Sequence, residues 1–115
     1  MEKRAKYNAK PVDQDGYHFD SQAEARRFRE LALMQEAGEI WNLEIHVRYP
    51  ILDAFIRDGK VERGAYFEAD FVYFDRESKC TIVEEIKGFK TQLYILKRKM
   101  FLSKYPHLKF IEIMV

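Results

Sequence analysis

Two acids and one lysine in the middle of the chain have the types and spacing for metal-dependent hydrolysis. Asp70 lies inside an aromatic run, where an acid disfavours a strand and is costly to bury. Fourteen residues separate it from Glu85, and Lys87 follows two positions later. Two carboxylates and an ammonium on one patch of an apolar sheet could hold a divalent cation and a hydrolytic water. The alternative is a cross-sheet ion pair between Glu85 and Lys87 beside an unrelated Asp70.

A β-hairpin is predicted to bring these three residues together. Its two strand-like segments are residues 66–74 and 80–86, and the polar residues 76–79 separate them. Because side chains alternate between the faces of a strand, Glu85 and Lys87 share one face and Glu84 lies on the other. If the two strands pair, we expect Asp70 to converge with Glu85 and Lys87 within a few ångströms.

An amphipathic helix is predicted before the hairpin, over residues 21–37. Ser21 and Glu24 have the spacing of a capping box, and the glycine at position 38 is a natural stop. Glu24 also shares a helix face with Phe28 and Leu31, which directs it toward the core. Glu24 is therefore a capping acid, a further member of the metal site, or both.

The remaining segments predict strands around this helix and a second helix near the end. Residues 11–19 suggest a small hairpin, and residues 40–52 a half-buried strand with His46 on its polar, solvent-facing side. Residues 54–63 form either a hairpin or a surface excursion. The second helix spans residues 92–105, and a last strand follows at residues 108–115. The side chains expected to bury this helix are Leu93, Leu96, Met100 and Phe101.

The order of these elements predicts a single α/β domain. It has a mixed β-sheet flanked by two helices, in the order αβββαβ. We expect the domain to cover residues 11–115, preceded by a flexible basic arm at residues 1–10. A chain of 115 residues with 47% hydrophobic residues can bury a core of its own. The single cysteine, Cys80, excludes an internal disulfide and most zinc clusters.

The charge distribution is compatible with a polyanionic partner although the formal net charge is only +1. Six basic residues and no acid lie between positions 87 and 104, whereas a solvated helix usually mixes charges. The candidate DNA-binding residues are Lys3, Arg4, Lys6, Lys90, Lys97, Arg98 and Lys104. No apolar run approaches membrane-spanning length and no signal peptide is evident, so a cytoplasmic protein without a membrane partner is expected.

The arrangement of motifs resembles the PD-(D/E)xK nuclease superfamily. It is most similar to a family of small phage and prophage nucleases, formerly of unknown function, that resemble Holliday junction resolvases. The segments that carry the resemblance are FDSQAEARRF (19–28), YFEADFVYF (66–74), VEEIKG (83–88) and YILKRKMFLSKYP (94–106). One departure is Ala69, which stands where the superfamily has its proline.

The resemblance implies a restriction-endonuclease-like core and a function in phage recombination or DNA processing. Asp70 and Glu85 would be the metal ligands, Lys87 the catalytic lysine and Glu24 an auxiliary acid. The implied cofactor is Mg²⁺, for which Mn²⁺ could substitute. The implied partners are DNA, with branched DNA as the preferred form, and a second copy of the chain. The alternatives are a sequence-specific or single-strand-directed nuclease, or a non-catalytic DNA-binding protein on the same fold.

Overall fold

The computed structural model describes residues 11–115, which form eight strands and two helices. In chain order they are β1 (Val12–Gln14), β2 (Tyr17–Phe19), α1 (Gln22–Glu36), β3 (Ile40–Leu52), β4 (Phe55–Arg57), β5 (Lys60–Glu62), β6 (Ala65–Asp75), β7 (Cys80–Lys87), α2 (Gln92–Lys104) and β8 (Lys109–Met114). The predicted arm at residues 1–10, with Lys3, Arg4 and Lys6, lies outside the described residues.

Four strands form the central mixed sheet, in the order β3-β6-β7-β8. The pairs β3–β6 and β6–β7 are antiparallel, whereas β7 and β8 are parallel. A parallel pair needs a crossover connection, and α2 supplies it between β7 and β8. Leaving out two short ribbons, the chain order is helix, three strands, helix, strand, so the predicted mixed sheet with two helices is confirmed.

The two helices cover opposite faces of this sheet. On one face, Phe28 and Leu31 of α1 pack with Phe71 of β6, and on the other, Phe101 of α2 packs with Phe67 of β6. Neighbours such as Phe71 and Val72 of β6, and Ile82 and Val83 of β7, belong to different clusters, as alternation along a strand requires. Burial on both faces explains why the middle strands are almost continuously apolar.

A second ribbon, β4–β5, pairs with no other strand of the described residues, and all six of its residues are exposed. Of the two predictions for this segment, the hairpin is therefore correct. Its base depends on Gly64, where an added Cβ would lie 2.4 Å from the backbone oxygen of Leu52. Only glycine at position 64 allows this backbone segment to approach the backbone of Leu52 so closely.

The predicted buried face of α2 is partly wrong. Leu93 and Leu96 are exposed, and the residues that pack against the sheet include Tyr94 and Phe101, seven positions apart on one helix face. Phe101 stacks on Phe67 with ring centroids 4.8 Å apart. The aromatic rings bury more area than the leucines would, so they determine which face meets the sheet. Neither helix of the described residues is long and apolar enough to cross a membrane.

Candidate active site at a split in the central sheet

The site is formed where β6 and β7 separate. Their backbone pairing runs from the pair Asp75–Cys80 to the pair Phe71–Glu84 and then stops. Beyond that point β6 stays bonded to β3, and β7 stays bonded to β8 as far as Lys87. The two strands are therefore held apart by their outer neighbours, and a gap opens between them.

Two carboxylates replace the backbone acceptors at the point of separation. The backbone N–H of Asp70 donates to Glu85 Oε1 at 3.1 Å, and the N–H of Ile86 donates to Asp70 Oδ2 at 2.8 Å. Both acids are buried. Because buried N–H groups need acceptors, these hydrogen bonds fix the two carboxylates side by side at the base of the split.

Lys87 completes the predicted group. Its Nζ lies 3.2 Å from Glu85 Oε2 and 4.1 Å from the centre of the Tyr94 ring. The carboxylate and the ring hold the ammonium at the wall of the split, where a cation over an aromatic face is stabilised. The structure thus brings Asp70, Glu85 and Lys87 together as predicted, although side-chain hydrogen bonds and not backbone pairs join β6 and β7 at this point.

Glu24 caps α1, and its carboxylate also reaches the side chains around Asp70. Its backbone N–H donates to the hydroxyl of Ser21, the N-cap of α1, at 3.1 Å, and its Oε1 accepts from the N–H of Asp20 at 3.3 Å. Its Oε2 lies 2.8 Å from Nε2 of His46. One ligand atom from each of Glu24, His46 and Asp70 lies within 4.8 Å of the others, so these three residues could hold a metal ion.

The prediction that His46 faces solvent is only partly correct, because its side chain is 31% exposed but its Nε2 reaches the buried Glu24. His46 has a positive φ of 53°, which interrupts the alternation of β3. Ile45 before it packs toward α1, whereas Val47 after it packs toward α2, and the imidazole itself reaches Glu24 on the α1 side. A period of two cannot reveal such a reversal. The hydrogen bond with Glu24 raises the pKa of His46, although burial opposes this shift.

An open cleft of ≈ 480 Å³ leads from the split to the surface. Its charged lining carries both signs, because Arg48, Lys87 and Lys97 lie beside the two buried acids. The residues that line it are Asp20, Arg48, Tyr66, Phe67, Glu68, Asp70, Glu85, Lys87, Phe89, Thr91, Leu93, Tyr94 and Lys97. A ligand that enters this cleft meets Arg48, Lys87 and Lys97, but also Asp20 and Glu68, of which Glu68 pairs with Arg48.

The predicted basic helix has an acid partner that the sequence argument did not include. Glu112 of β8 lies 2.7 Å from Nζ of Lys90 and 3.3 Å from Nε of Arg98, the second contact being an ion pair without hydrogen-bond geometry. The absence of acids on α2 therefore does not show that Lys90 and Arg98 are available to bind DNA, because Glu112 pairs with both. Lys97 lines the cleft and Lys104 is exposed, so both can meet a ligand.

Glu112 also supports the wall of the cleft through Tyr94, whose hydroxyl donates to it. Burial and this hydrogen bond raise the pKa of Tyr94. Burial alone would raise the pKa of Glu112, yet the hydrogen bonds from Lys90 and Tyr94 hold it below its usual range. The parallel pairing of β7 and β8 thus places an acid behind the ring on which Lys87 rests.

Glu84 lies on the opposite face of the sheet from Lys87, as alternation predicts. Its carboxylate accepts from Nε and Nη2 of Arg27 at 2.8 and 2.7 Å and from the hydroxyl of Tyr73. This closed set of contacts does not border the cleft. Glu84 therefore connects α1 to the sheet and takes no part in the candidate site.

Comparison with known proteins gives one match. The model of the family described as "Protein of unknown function (DUF1064)" matches residues 4–114. No curated protein and no solved structure matches the chain.

Proposed function

The chain belongs to the DUF1064 family, and we propose that it is a metal-dependent endonuclease that hydrolyses phosphodiester bonds of DNA. The observation that carries the proposal is the pair Asp70 and Glu85, two buried acids that are fixed at the base of an open cleft with Lys87 beside them. Grouping buried like charges is costly unless a function or a cation compensates for it.

The donor set fits a divalent cation. Asp70 and Glu85 offer carboxylate oxygens, which Mg²⁺ prefers and Mn²⁺ also accepts. Glu24 and His46 lie next to Asp70 and would either orient it or add a ligand of their own. A bound Mg²⁺ would neutralise charge on the phosphate and lower the pKa of a water.

Lys87 has the position of the group that assists the reaction. Hydrolysis adds the oxygen of a water to phosphorus while one P–O ester bond breaks, and negative charge grows on the phosphate as this happens. The ammonium, held by Glu85 and the Tyr94 ring, is a fixed donor that can orient the water or stabilise that charge. Lys97 and Arg48 on the cleft walls would contact neighbouring phosphates.

The same geometry supports the proposed membership of the PD-(D/E)xK superfamily and its restriction-endonuclease-like core. An acid at the start of the first helix, an acid on β6 and an E-x-K sequence at the end of β7 meet at one split in a mixed sheet. That combination of elements is more specific than the short motif alone.

The decisive experiment is cleavage of a panel of linear, single-stranded, flapped and four-way-junction DNAs. We expect cleavage with Mg²⁺ or Mn²⁺, none in chelator, and binding without turnover in Ca²⁺. Asp70→Asn, Glu85→Gln and Lys87→Ala should each lower the rate by at least about a hundredfold, and Lys87→Ala should leave DNA affinity nearly unchanged.

Glu68→Gln is the matched control, because Glu68 is an acid of the same cleft that pairs with Arg48 instead of the buried group. It should keep most of the activity. Folded Asp70→Asn or Glu85→Gln protein that cleaves at the wild-type rate would refute the site. DNA binding by the wild type without any cleavage would instead support a non-catalytic DNA-binding protein.

We propose branched DNA as substrate and a homodimer as the active form, because one site cuts one strand and a junction needs paired incisions. The apolar residue at the start of β3 that an interface could use is Trp41, which is exposed and stacks on Phe74, whereas its neighbour Ile40 belongs to the core. Light scattering with and without DNA tests the dimer. A strict monomer, or linear duplex cut as fast as a junction, would favour a single-strand-directed or sequence-specific nuclease.

A further inference from the structure

Two aromatic residues line the mouth of the split, which is the part of the cleft beyond the last backbone pair of β6 and β7. If the register of β6 and β7 continued beyond the pair Phe71–Glu84, Tyr66 would stand opposite Phe89. Because the strands have separated there, Tyr66 and Phe89 both line the cleft instead of pairing in a sheet. The two acids of the cleft are buried, whereas the two rings are exposed, so the rings lie nearer to solvent than the acids.

Both rings remain accessible. Tyr66 is 41% exposed and Phe89 is 53% exposed, although each borders a cleft that could have covered it. The Arg48 guanidinium lies 4.4 Å and Lys97 Nζ 5.7 Å from the centre of the Tyr66 ring. Exposed aromatic rings interleaved with cations are the composition of surfaces that bind single-stranded nucleic acid.

We propose that the mouth of the split binds an unstacked nucleobase against Tyr66 and Phe89, next to the phosphate at Lys87. This inference rests on the proposed nuclease function and adds its substrate class, which is DNA with an unpaired nucleotide at the cut site. The rings supply the π faces on which a base stacks, and the cations meet the phosphates on either side of it.

The shape of the cleft favours an unpaired nucleotide over a continuous duplex. Its volume of ≈ 480 Å³ lies within the range of small-molecule pockets, which is roughly 300–1,000 Å³. In a duplex each base is stacked inside, so only backbone can approach the walls of the split. At a gap, or at the single-stranded arm of a flapped branch, the base is already unpaired, and it can enter without the cost of opening a pair.

The test is a binding measurement in chelator, so that no cleavage occurs. A gapped DNA with 2-aminopurine at its unpaired position and the same sequence as a full duplex are titrated with wild-type protein, Tyr66→Ala, Phe89→Ala and Phe55→Ala. Phe55 is the matched control, because it is 47% exposed but lies on the β4–β5 ribbon and does not line the cleft. All three side chains are partly exposed, so folded variants are expected.

We expect wild-type protein to prefer the gapped DNA and to change the 2-aminopurine fluorescence, as stacking does. Phe89→Ala and Tyr66→Ala should each weaken binding to gapped DNA by about tenfold, with little effect on the duplex, and Phe55→Ala should affect neither. Equal losses on both DNAs, or no loss on gapped DNA, would overturn this inference even if the wild type cleaves with Mg²⁺. Absence of metal-dependent cleavage with the selective losses intact would refute the proposed nuclease and retain the base-binding cleft.

Discussion

Glu84 and Glu85 are neighbours on β7, and they show how differently one residue type is used on the two faces of this sheet. Both are buried, with 1% and 5% of their surface exposed. Glu84 has its carboxylate enclosed by Arg27 and Tyr73. Glu85 stands at the base of an open cleft, with a second acid, Asp70, hydrogen-bonded to it through the backbone.

The comparison teaches that burial of an acid does not identify a functional site. On the α1 face, a bidentate arginine balances the charge, and the pKa of Arg27 is raised mainly by its hydrogen bond with Glu84. On the α2 face, Glu85 pairs with Lys87, and Asp70 and Glu85 both line a cleft that opens to solvent. Access from solvent distinguishes the candidate site from the enclosed Glu84.

Substituting each of the two glutamates in turn is the strongest test of this contrast. Glu85→Gln should lower the rate of metal-dependent cleavage by at least about a hundredfold. The variant should be at least as stable as the wild type, because the substitution removes a charge next to Asp70. Glu84→Ala should lower the free energy of unfolding by about 3 kcal/mol, since it leaves Arg27 without its partner. Denaturant titration and a cleavage assay measure the two effects. A fully stable Glu84→Ala, or an active Glu85→Gln, would reverse the assignment of roles.

The next effect concerns Glu112, which balances Lys90 and Arg98 behind the cleft. Its pKa is lower in the folded protein than its ordinary value of 4.5, so the charged form stabilises the fold. That contribution is complete above pH 4.5 and is lost as pH falls through the folded pKa. We expect Glu112→Gln to lower the free energy of unfolding by about 2 kcal/mol at neutral pH. As the pH falls, the variant should lose less further stability than the wild type. Chemical denaturation across the acid range, with the exposed Glu77→Gln as control, measures both.

Tyr94 tests whether the wall of the cleft positions Lys87. Tyr94→Leu removes the ring under the ammonium and should lower the turnover rate about tenfold with DNA affinity unchanged. Tyr94→Phe keeps the ring and loses only the hydrogen bond to Glu112, so it should be slightly less stable but nearly as active. Equal turnover by both variants would show that the ring has no positioning role.

The smallest effect separates the cations of the cleft from those outside it. Lys97→Ala should reduce the slope of log affinity against log salt by about one unit, because one phosphate contact is lost. Lys104→Ala, at the far end of α2 and outside the cleft lining, should change the slope less. Identical slopes for both variants would argue against a phosphate path through the cleft.

Much of the fold could be predicted because its signals are local. The capping box, the glycine stop and the apolar stripe define α1, and the aromatic and β-branched runs define β6 and β7. Strand alternation also placed Glu85 with Lys87 and Glu84 on the other face, since it requires no knowledge of distant contacts.

The missed features depend on contacts between distant segments. His46 joins Glu24 only because its positive φ reverses the face of β3, which no periodic pattern reveals. The position of Glu112 behind Tyr94 follows from the parallel pairing of β7 and β8, which the strand pattern does not specify. The exposed Leu93 was misassigned because hydrophobicity alone does not show which of two apolar faces the aromatic rings will occupy.

The carboxylates that end the ladder between β6 and β7 have a spectroscopic consequence. The amide protons of Asp70 and Ile86 point at side-chain oxygens of the site instead of at backbone carbonyls. Their chemical shifts and hydrogen-exchange rates therefore depend on whether those oxygens carry a proton, a cation or neither. Two backbone signals thus serve as built-in sensors of site occupancy, observable in the absence of any substrate.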